Sequence, residues 1–115
     1  MANYEKSLVV IWSSGDREVA LKAAFMYTFN AKKQGWWEDV ILIVWGPSAK
    51  LLSEDSELQE YVEKMKDIGV VVEACKACSD MYGVSGELVK LGVDVKYMGI
   101  PLTSYIKDGG NVISF

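Results

Sequence analysis

Two cysteines are the residues of this 115-residue chain whose types and spacing are best suited to chemistry. Cys75 follows a short apolar run that is typical of a strand, and it opens a predicted helix. Unpaired backbone N–H groups and the positive end of the helix dipole favour a thiolate at such a position. Lys76 adds a positive charge nearby. We therefore predict that Cys75 is the catalytic nucleophile, and that Cys78 is a resolving thiol or a packing residue.

Two other interpretations of these thiols remain open. The C-x-x-C spacing beside alternating strands and helices also matches a dithiol redox protein. However, the thioredoxin arrangement has its dithiol after the first major strand and opposite a cis-proline, whereas Cys75 lies past mid-chain and Pro101 begins a predicted helix. In the third interpretation both thiols are small buried apolar groups, and the chain is a non-catalytic oligomeric binding module.

The composition excludes several classes of chemistry. The chain has no histidine, so the commonest general base and the commonest zinc ligand are missing, and triad hydrolases and zinc hydrolases are excluded. Two cysteines are too few for a metal site or a disulfide scaffold, so we expect reduced thiols, no metal and no cofactor. Residues 13–16 lack the glycine pattern of a phosphate-binding loop, and a helix cap at Asp16 is the preferred interpretation.

Charge and hydropathy limit the partners. Sixteen acidic and twelve basic residues give a net charge of −4, so we expect no nucleic-acid partner. The acidic residues 54–60 and Asp94 are interpreted as solvated, without a role. The chain starts without a basic region leading into an apolar run, and its longest strongly apolar stretch, residues 40–45, is too short to span a bilayer. We therefore expect a cytoplasmic protein with no membrane partner.

The elements that must position the thiols alternate regularly along the chain. Apolar, β-branched runs predict five strands, at residues 7–12, 40–45, 70–73, 93–97 and 111–115. Between them we predict helices at residues 17–33, from Ser56 to just before Gly69, and at 75–82, 85–91 and 101–107. Ser56 and Gln59 have the spacing of a capping box, and Leu51 and Leu52 form a short separate segment.

This alternation, in a chain of single-domain length, predicts one domain over residues 1–115. Its fold class is α/β, a three-layer α/β/α sandwich with a mostly parallel five-stranded sheet. Reactive groups in such folds gather beyond the carboxyl ends of the strands. Three loops meet that condition: residues 13–16, 46–48 and 74–78.

The first helix is apolar around much of its circumference. Leu21, Phe25 and Phe29 lie away from its main apolar stripe, and one sheet face would not cover them all. A second copy of the chain is our preferred explanation of this excess, and Trp36 and Trp37 could join the contact.

Three segments resemble the DsrE/DsrF-like family, which has the YchN-like fold. They are VVEAC at residues 71–75, MYGV at 81–84 and GGNVISF at 109–115, and the resemblance extends over essentially the full length. In that family a cysteine follows the third strand and a glycine lies eight residues later, the spacing of Cys75 and Gly83. The resemblance implies a small parallel α/β fold, a trimer or hexamer, and sulfur relay, in which a cysteine carries sulfane sulfur as a persulfide.

The function predicted from the sequence is therefore a sulfur carrier. Cys75 would accept sulfane sulfur from a donor protein or a small persulfide and pass it to an acceptor thiol by thiol exchange. Cys78 is an extra thiol relative to the family pattern, which leaves an internal disulfide or polysulfide open.

Overall fold

The computed structural model describes residues 6–115 and contains a five-stranded sheet. Its strands are β1 (Ser7–Trp12), β2 (Asp39–Val44), β3 (Val71–Cys75), β4 (Asp94–Lys96) and β5 (Asn111–Ser114). Their order is β4-β3-β2-β1-β5, and every neighbouring pair is parallel. The predicted α/β class is confirmed, and the sheet is fully parallel. The prediction about a leader segment falls mainly on residues 1–5, which lie outside the described residues.

The surroundings of the central strand, β2, explain why its sequence is apolar throughout. β2 pairs with β1 on one side and β3 on the other. Val40, Leu42 and Val44 belong to the large core cluster on one sheet face, and Ile43 belongs to the small cluster on the other. Because both faces are covered, the strand is apolar throughout instead of alternating.

The helices cover the two faces unequally. The first, α1, spans residues 17–33; it is followed by α2 (Pro47–Glu54), α3 (Ser56–Asp67), α4 (Lys76–Met81), α5 (Ser85–Lys90) and α6 (Gly99–Lys107). From β1 to β4 the chain moves across the sheet in one direction, so right-handed crossovers place α1 to α5 on one face. The connection from β4 returns to β5 at the opposite edge, which places α6 on the other face.

The helix α1 has the predicted extent but an irregular middle. It runs as α-helix over Arg17–Val19, as π-helix over Ala20–Ala24 and again as α-helix over Phe25–Lys33. The predicted cap is confirmed, because the Asp16 carboxylate accepts hydrogen bonds from the backbone N–H groups of Glu18 and Val19.

Part of the excess apolar surface on α1 is buried by other residues of the same chain. Phe25 packs edge-on against Trp12 of β1 and Tyr61 of α3, with ring centroids 4.6 Å and 5.3 Å apart, and Phe29 also packs on Tyr61. Phe25 is fully buried by these contacts. The helix α3, which the sequence pattern did not place against α1, therefore covers apolar surface that we had expected a second copy to cover.

Two details around α3 differ from the prediction. The cap is Asp55, whose carboxylate accepts a hydrogen bond from the Leu58 backbone N–H at 3.1 Å, because the helix already begins at Ser56. Gln59 donates its side-chain amide to the Leu52 carbonyl instead of closing a capping box. Leu52 itself belongs to α2, a full helix where we predicted a short segment.

No helix within residues 6–115 combines the length and the apolar character needed to cross a membrane.

Candidate thiol site

Cys75 is the last residue of β3, two residues beyond the predicted end of that strand. Side chains alternate along a strand, so Cys75 shares a sheet face with Glu73, the face covered by α6. Its side chain makes no capping hydrogen bond to α4 and lies in a cluster with Val9, Ile43 and Met98. Cys75 is 5% exposed. The expectation of an accessible thiol at a helix start is therefore not met in the isolated chain, because the longer strand turns the side chain onto the sheet.

Cys78 lies directly beside Cys75. Cys75 is the N-cap of α4 and Cys78 is the third residue of that helix. The two side chains form a hydrogen bond with each other. Cys78 packs against the cluster that contains Cys75 but remains partly exposed. Both cysteines are free thiols. The chain thus holds a buried sulfur and a more accessible sulfur side by side.

The surroundings keep the Cys78 thiol protonated at neutral pH. Burial raises the pKa of Cys78 above its ordinary value of 9.0, and a hydrogen bond with Cys75 raises it further. The backbone N–H of Gly46 lowers the pKa by a smaller amount. A protonated Cys78 can donate its S–H towards the Cys75 sulfur.

Gly46 reaches this site because of the turn that follows β2. Its backbone has φ 66° and ψ −136°, a conformation that side-chain-bearing residues rarely adopt. Ser48 holds the turn in place: its hydroxyl donates to the Trp12 carbonyl and accepts from the Trp45 backbone N–H. Two of the three predicted loops, residues 46–48 and 74–78, thus meet at the thiols.

The third predicted loop, residues 13–16, has other contacts. The backbone N–H groups of Ser13 and Ser14 donate to the Phe115 carbonyl, and Asp16 caps α1. Ser13 and Ser14 therefore connect the end of β1 to the residue that follows β5, while Asp16 serves α1.

Gly83, which carried the family spacing with Cys75, ends the helix that contains Cys78. It has φ 68°, and the backbone N–H groups of Gly83 and Val84 donate to the carbonyls of Asp80 and Ser79. This is a helix C-cap that favours glycine. The glycine therefore has a structural role at the end of α4.

Contrary to the prediction, the ammonium group of Lys76 is directed away from Cys75. Its ammonium forms an ion pair with Asp80 at 2.7 Å and lies 5.2 Å from the centre of the Tyr97 ring. The hydrogen bond with Asp80 raises the pKa of Lys76. The positive charge is thus held one helical turn away, on the exposed side of α4.

A buried charge network that the sequence analysis missed lies next to the thiols. The carboxylate of Glu73, which is 4% exposed, accepts hydrogen bonds from the Tyr105 hydroxyl at 2.7 Å and from the Lys96 ammonium at 2.6 Å. Lys96 also pairs with Asp94 at 2.8 Å. A glutamate inside an otherwise apolar strand, two residues before Cys75, is the signal that could have identified it.

This network joins β3, β4 and α6 on the sheet face that carries Cys75. In the sheet register, Lys96 of β4 lies opposite Cys75 and Asp94 lies opposite Glu73. Hydrogen bonds with Asp94 and Glu73 raise the pKa of Lys96, and burial together with the Glu73 hydrogen bond raises the pKa of Tyr105 to about 12. Tyr105 therefore stays protonated and attaches α6 to the sheet. Asp94, which we interpreted as having no role, is a partner of Lys96.

The cover that α6 provides is thin. Met98, Leu102 and Tyr105 pack on the cluster around Cys75, but none of the nine residues of α6 is itself buried. Ile100 on this helix is 83% exposed. Displacing α6 would therefore expose Cys75 without exposing a fully buried residue of the helix, and its main polar cost would be the Tyr105–Glu73 hydrogen bond.

Among the residues that the structure describes, no group of three or more Cys, Asp or Glu side chains is placed to hold a metal ion.

Comparison with solved structures places this geometry among known folds. The structure of a conserved protein of unknown function, BT1422 from Bacteroides thetaiotaomicron, superposes with a TM-score of 0.93 at 35% identity, covering 96% of each chain. The structure of the ychN protein from E. coli superposes with a TM-score of 0.73 at 19% identity, covering 96% of this chain and 98% of that one. No protein-family model and no curated protein matches the sequence.

Proposed function

We propose that this chain, which belongs to the same family as BT1422 and has the YchN-like fold, is a sulfur carrier that holds sulfane sulfur as a persulfide on Cys75. The observation that carries the proposal is the pair of free thiols at the carboxyl end of β3, which lie in one apolar cluster and form a hydrogen bond with each other. The resemblance of residues 71–75 to sulfur-relay proteins supports the same chemistry. The two structural relatives support the fold.

The transfer itself needs only thiol exchange. The Cys75 thiolate attacks the outer sulfur of a donor persulfide, the S–S bond of the donor breaks, and the donor leaves as a thiolate. An acceptor thiolate then attacks the outer sulfur on Cys75 and regenerates the Cys75 thiolate. No electrons enter or leave the overall reaction, so the proposal needs no redox cofactor. The attacking groups are already thiolates, so the reaction also needs no histidine as a general base.

Burial gives Cys75 both protection and a need for access. Cys75 is 5% exposed, so the side chains that cover it slow the approach of small thiols to a persulfide held there. Because α6 covers the site without a buried residue of its own, we propose that its displacement admits the donor. Cys78 is the more exposed of the two cysteines.

The partners in this proposal are sulfur donor and acceptor proteins and further copies of the chain, in a trimer or hexamer. An open groove of about 390 Å³ beside α1 and β5 is lined largely by apolar side chains, among them Met26, Trp36, Ile113 and Phe115. Trp36 is 60% exposed there. The proposal includes a cytoplasmic location, because the carrier needs reduced thiols.

Intact mass spectrometry after brief incubation with a small persulfide tests the carrier. We expect the wild type and Cys78→Ser to gain the mass of one sulfur atom, and Cys75→Ser to gain none. A gain that is lost only in Cys78→Ser would transfer the role to Cys78. No gain in any variant would contradict the proposal.

A dithiol redox protein is the second candidate, because the two sulfurs lie close enough for hydrogen bonding. It predicts reversible formation of a Cys75–Cys78 disulfide and turnover with a model disulfide, without sulfur uptake. The burial of Cys75 favours the third interpretation, a non-catalytic oligomeric binding module. That interpretation predicts slow alkylation of both thiols in the folded chain and no sulfur uptake.

A further inference from the structure

We propose that Cys78 discharges the carrier: it attacks the Cys75 persulfide, releases sulfide and leaves a Cys75–Cys78 disulfide. This inference rests on the proposed sulfur-carrier function. It adds a second outcome at the same site, in which sulfane sulfur is reduced to sulfide when no acceptor protein takes it.

The atoms and electrons of this step balance within the chain. The Cys78 thiolate attacks the inner sulfur of the persulfide, which is the Sγ atom of Cys75. The bond between that sulfur and the outer sulfur breaks, and the outer sulfur leaves as hydrosulfide. The sulfur atoms of Cys75 and Cys78 are oxidised to a disulfide, and the sulfane sulfur takes up the two electrons. The proton of Cys78 goes to solvent or to the leaving hydrosulfide.

The structure favours Cys78 as the attacking group because of its position. Cys78 packs against the cluster that contains Cys75 and forms a hydrogen bond with its side chain, so the Cys78 sulfur lies next to Cys75 without any movement of α6. An external thiol must instead pass the cover formed by Met98, Leu102 and Tyr105. A reactant held in place within the same chain has a large effective concentration. Hydrosulfide is a good leaving group, because its conjugate acid is stronger than a cysteine thiol.

The raised pKa of Cys78 limits the rate at which Cys78 attacks the persulfide. Burial and the hydrogen bond with Cys75 keep most Cys78 protonated at neutral pH, which slows its attack. The persulfide on Cys75 can therefore last long enough to meet an acceptor. Discharge becomes faster as the pH rises and more Cys78 is ionised.

A small thiol of the glutathione class completes the cycle. Its thiolate attacks the disulfide at Cys78, the more exposed sulfur, and Cys75 leaves as a thiolate. A second molecule of small thiol then releases Cys78 and forms a small-molecule disulfide. The net reaction consumes two small thiols for each sulfane sulfur reduced to sulfide.

The test loads the full chain with one equivalent of glutathione persulfide and follows sulfide and intact mass after alkylation of free thiols. The wild type is expected to gain one sulfur at early times and then to lose it. The loss coincides with release of one sulfide per chain and with formation of the internal disulfide. In Cys78→Ser the added sulfur is expected to persist, with sulfide release slower by at least about tenfold.

Two further variants make the test specific. Ala77→Ser introduces a hydroxyl between the two cysteines but keeps both thiols, and it should behave like the wild type. Cys78→Ala checks that the loss of discharge does not depend on the serine side chain. With excess glutathione persulfide as the sulfur source, added small thiol should turn the single sulfide release of the wild type into repeated release.

The outcomes separate this inference from the carrier function. If the wild type and Cys78→Ser gain sulfur and release sulfide equally slowly, the discharge proposal is wrong and the carrier remains. If no variant gains sulfur, both proposals fail. Rapid sulfide release from Cys78→Ser would also overturn the inference, because the second thiol would then be unnecessary.

Discussion

Among single residues, Cys78 has the clearest electrostatic signature. Its pKa lies above the ordinary value of 9.0, chiefly because of burial and then because of the hydrogen bond with Cys75. Thiolates are the form that reacts with alkylating reagents, so the reaction of Cys78 should accelerate as the pH rises past 9.0. We expect the inflection of the iodoacetamide rate to move towards the ordinary value in Cys75→Ala, which removes the hydrogen bond. An inflection below 9.0 in the wild type would contradict this account of the site.

Gly46 has backbone angles that favour glycine over every other residue. A side chain at φ 66° and ψ −136° is strained, so Gly46→Ala should lower the free energy of unfolding by about 1–3 kcal/mol. Gly86 provides a matched control, since an added Cβ meets nothing within 4 Å at either glycine and only Gly46 has a positive φ. Gly86→Ala, inside α5, should be neutral or stabilising in denaturant unfolding. Equal effects of the two substitutions would show that the turn is not strained.

Among the elements, α6 is the one whose attachment controls access to Cys75. Tyr105→Phe removes the hydrogen bond to the buried Glu73 carboxylate and should lower stability by about 1.5–3 kcal/mol, while Lys96 still pairs with Glu73. In a Cys78→Ser background it should also accelerate alkylation of Cys75. Tyr97→Phe, at an exposed tyrosine before α6, is the control and should change neither quantity. Unchanged alkylation in Tyr105→Phe would mean that α6 does not control access.

Burial of the Tyr105 phenol, together with its hydrogen bond to Glu73, predicts how stability depends on pH. The pKa of Tyr105 rises from 10.0 to about 12 on folding, so the folded chain holds the phenol proton more tightly than the unfolded chain. Its contribution to stability is complete below pH 10 and is lost as the pH rises towards 12. Denaturant unfolding over this range should show a smaller alkaline loss in Tyr105→Phe. An equal loss in both chains would assign it to other groups.

The prediction of elements from sequence succeeded where one physical signal dominated. The apolar run of β2 and the carboxylate of Asp16 before α1 identified those elements within one residue of their observed ends. The end of β3 was misplaced because Glu73 looked like the polar limit of a strand. In the fold it is a buried partner of Lys96 and Tyr105, which are distant in sequence and which no local pattern could place there. That error also led to the prediction that Cys75 would be exposed.

Across the whole molecule, the groove beside α1 and β5 is the surface that we propose a second copy covers. Trp36, with 60% of its surface exposed, lines this groove. Trp36→Glu should therefore lower the particle mass measured by light scattering, because burying an unpaired carboxylate in an apolar contact is unfavourable. Val89→Glu is a matched control, since Val89 is 59% exposed on α5, and it should leave the mass unchanged. A wild-type chain that is already monomeric, or equal masses for both variants, would contradict the proposed contact.

The fold class was predictable because alternating strands and helices with right-handed crossovers leave few arrangements. The distribution of apolar surface was less predictable. Phe25 and Phe29 meet Tyr61 of α3, a contact between helices that no local spacing indicates.

Sulfur that cyanide can release as thiocyanate measures the central claim most directly, because cyanide removes sulfane sulfur and leaves ordinary thiols. After loading with a small persulfide and removal of the excess, folded Cys78→Ser should contain one such sulfur per chain and Cys75→Ser should contain none. Equal amounts in the two variants, or none in either, would contradict the assignment of the persulfide to Cys75.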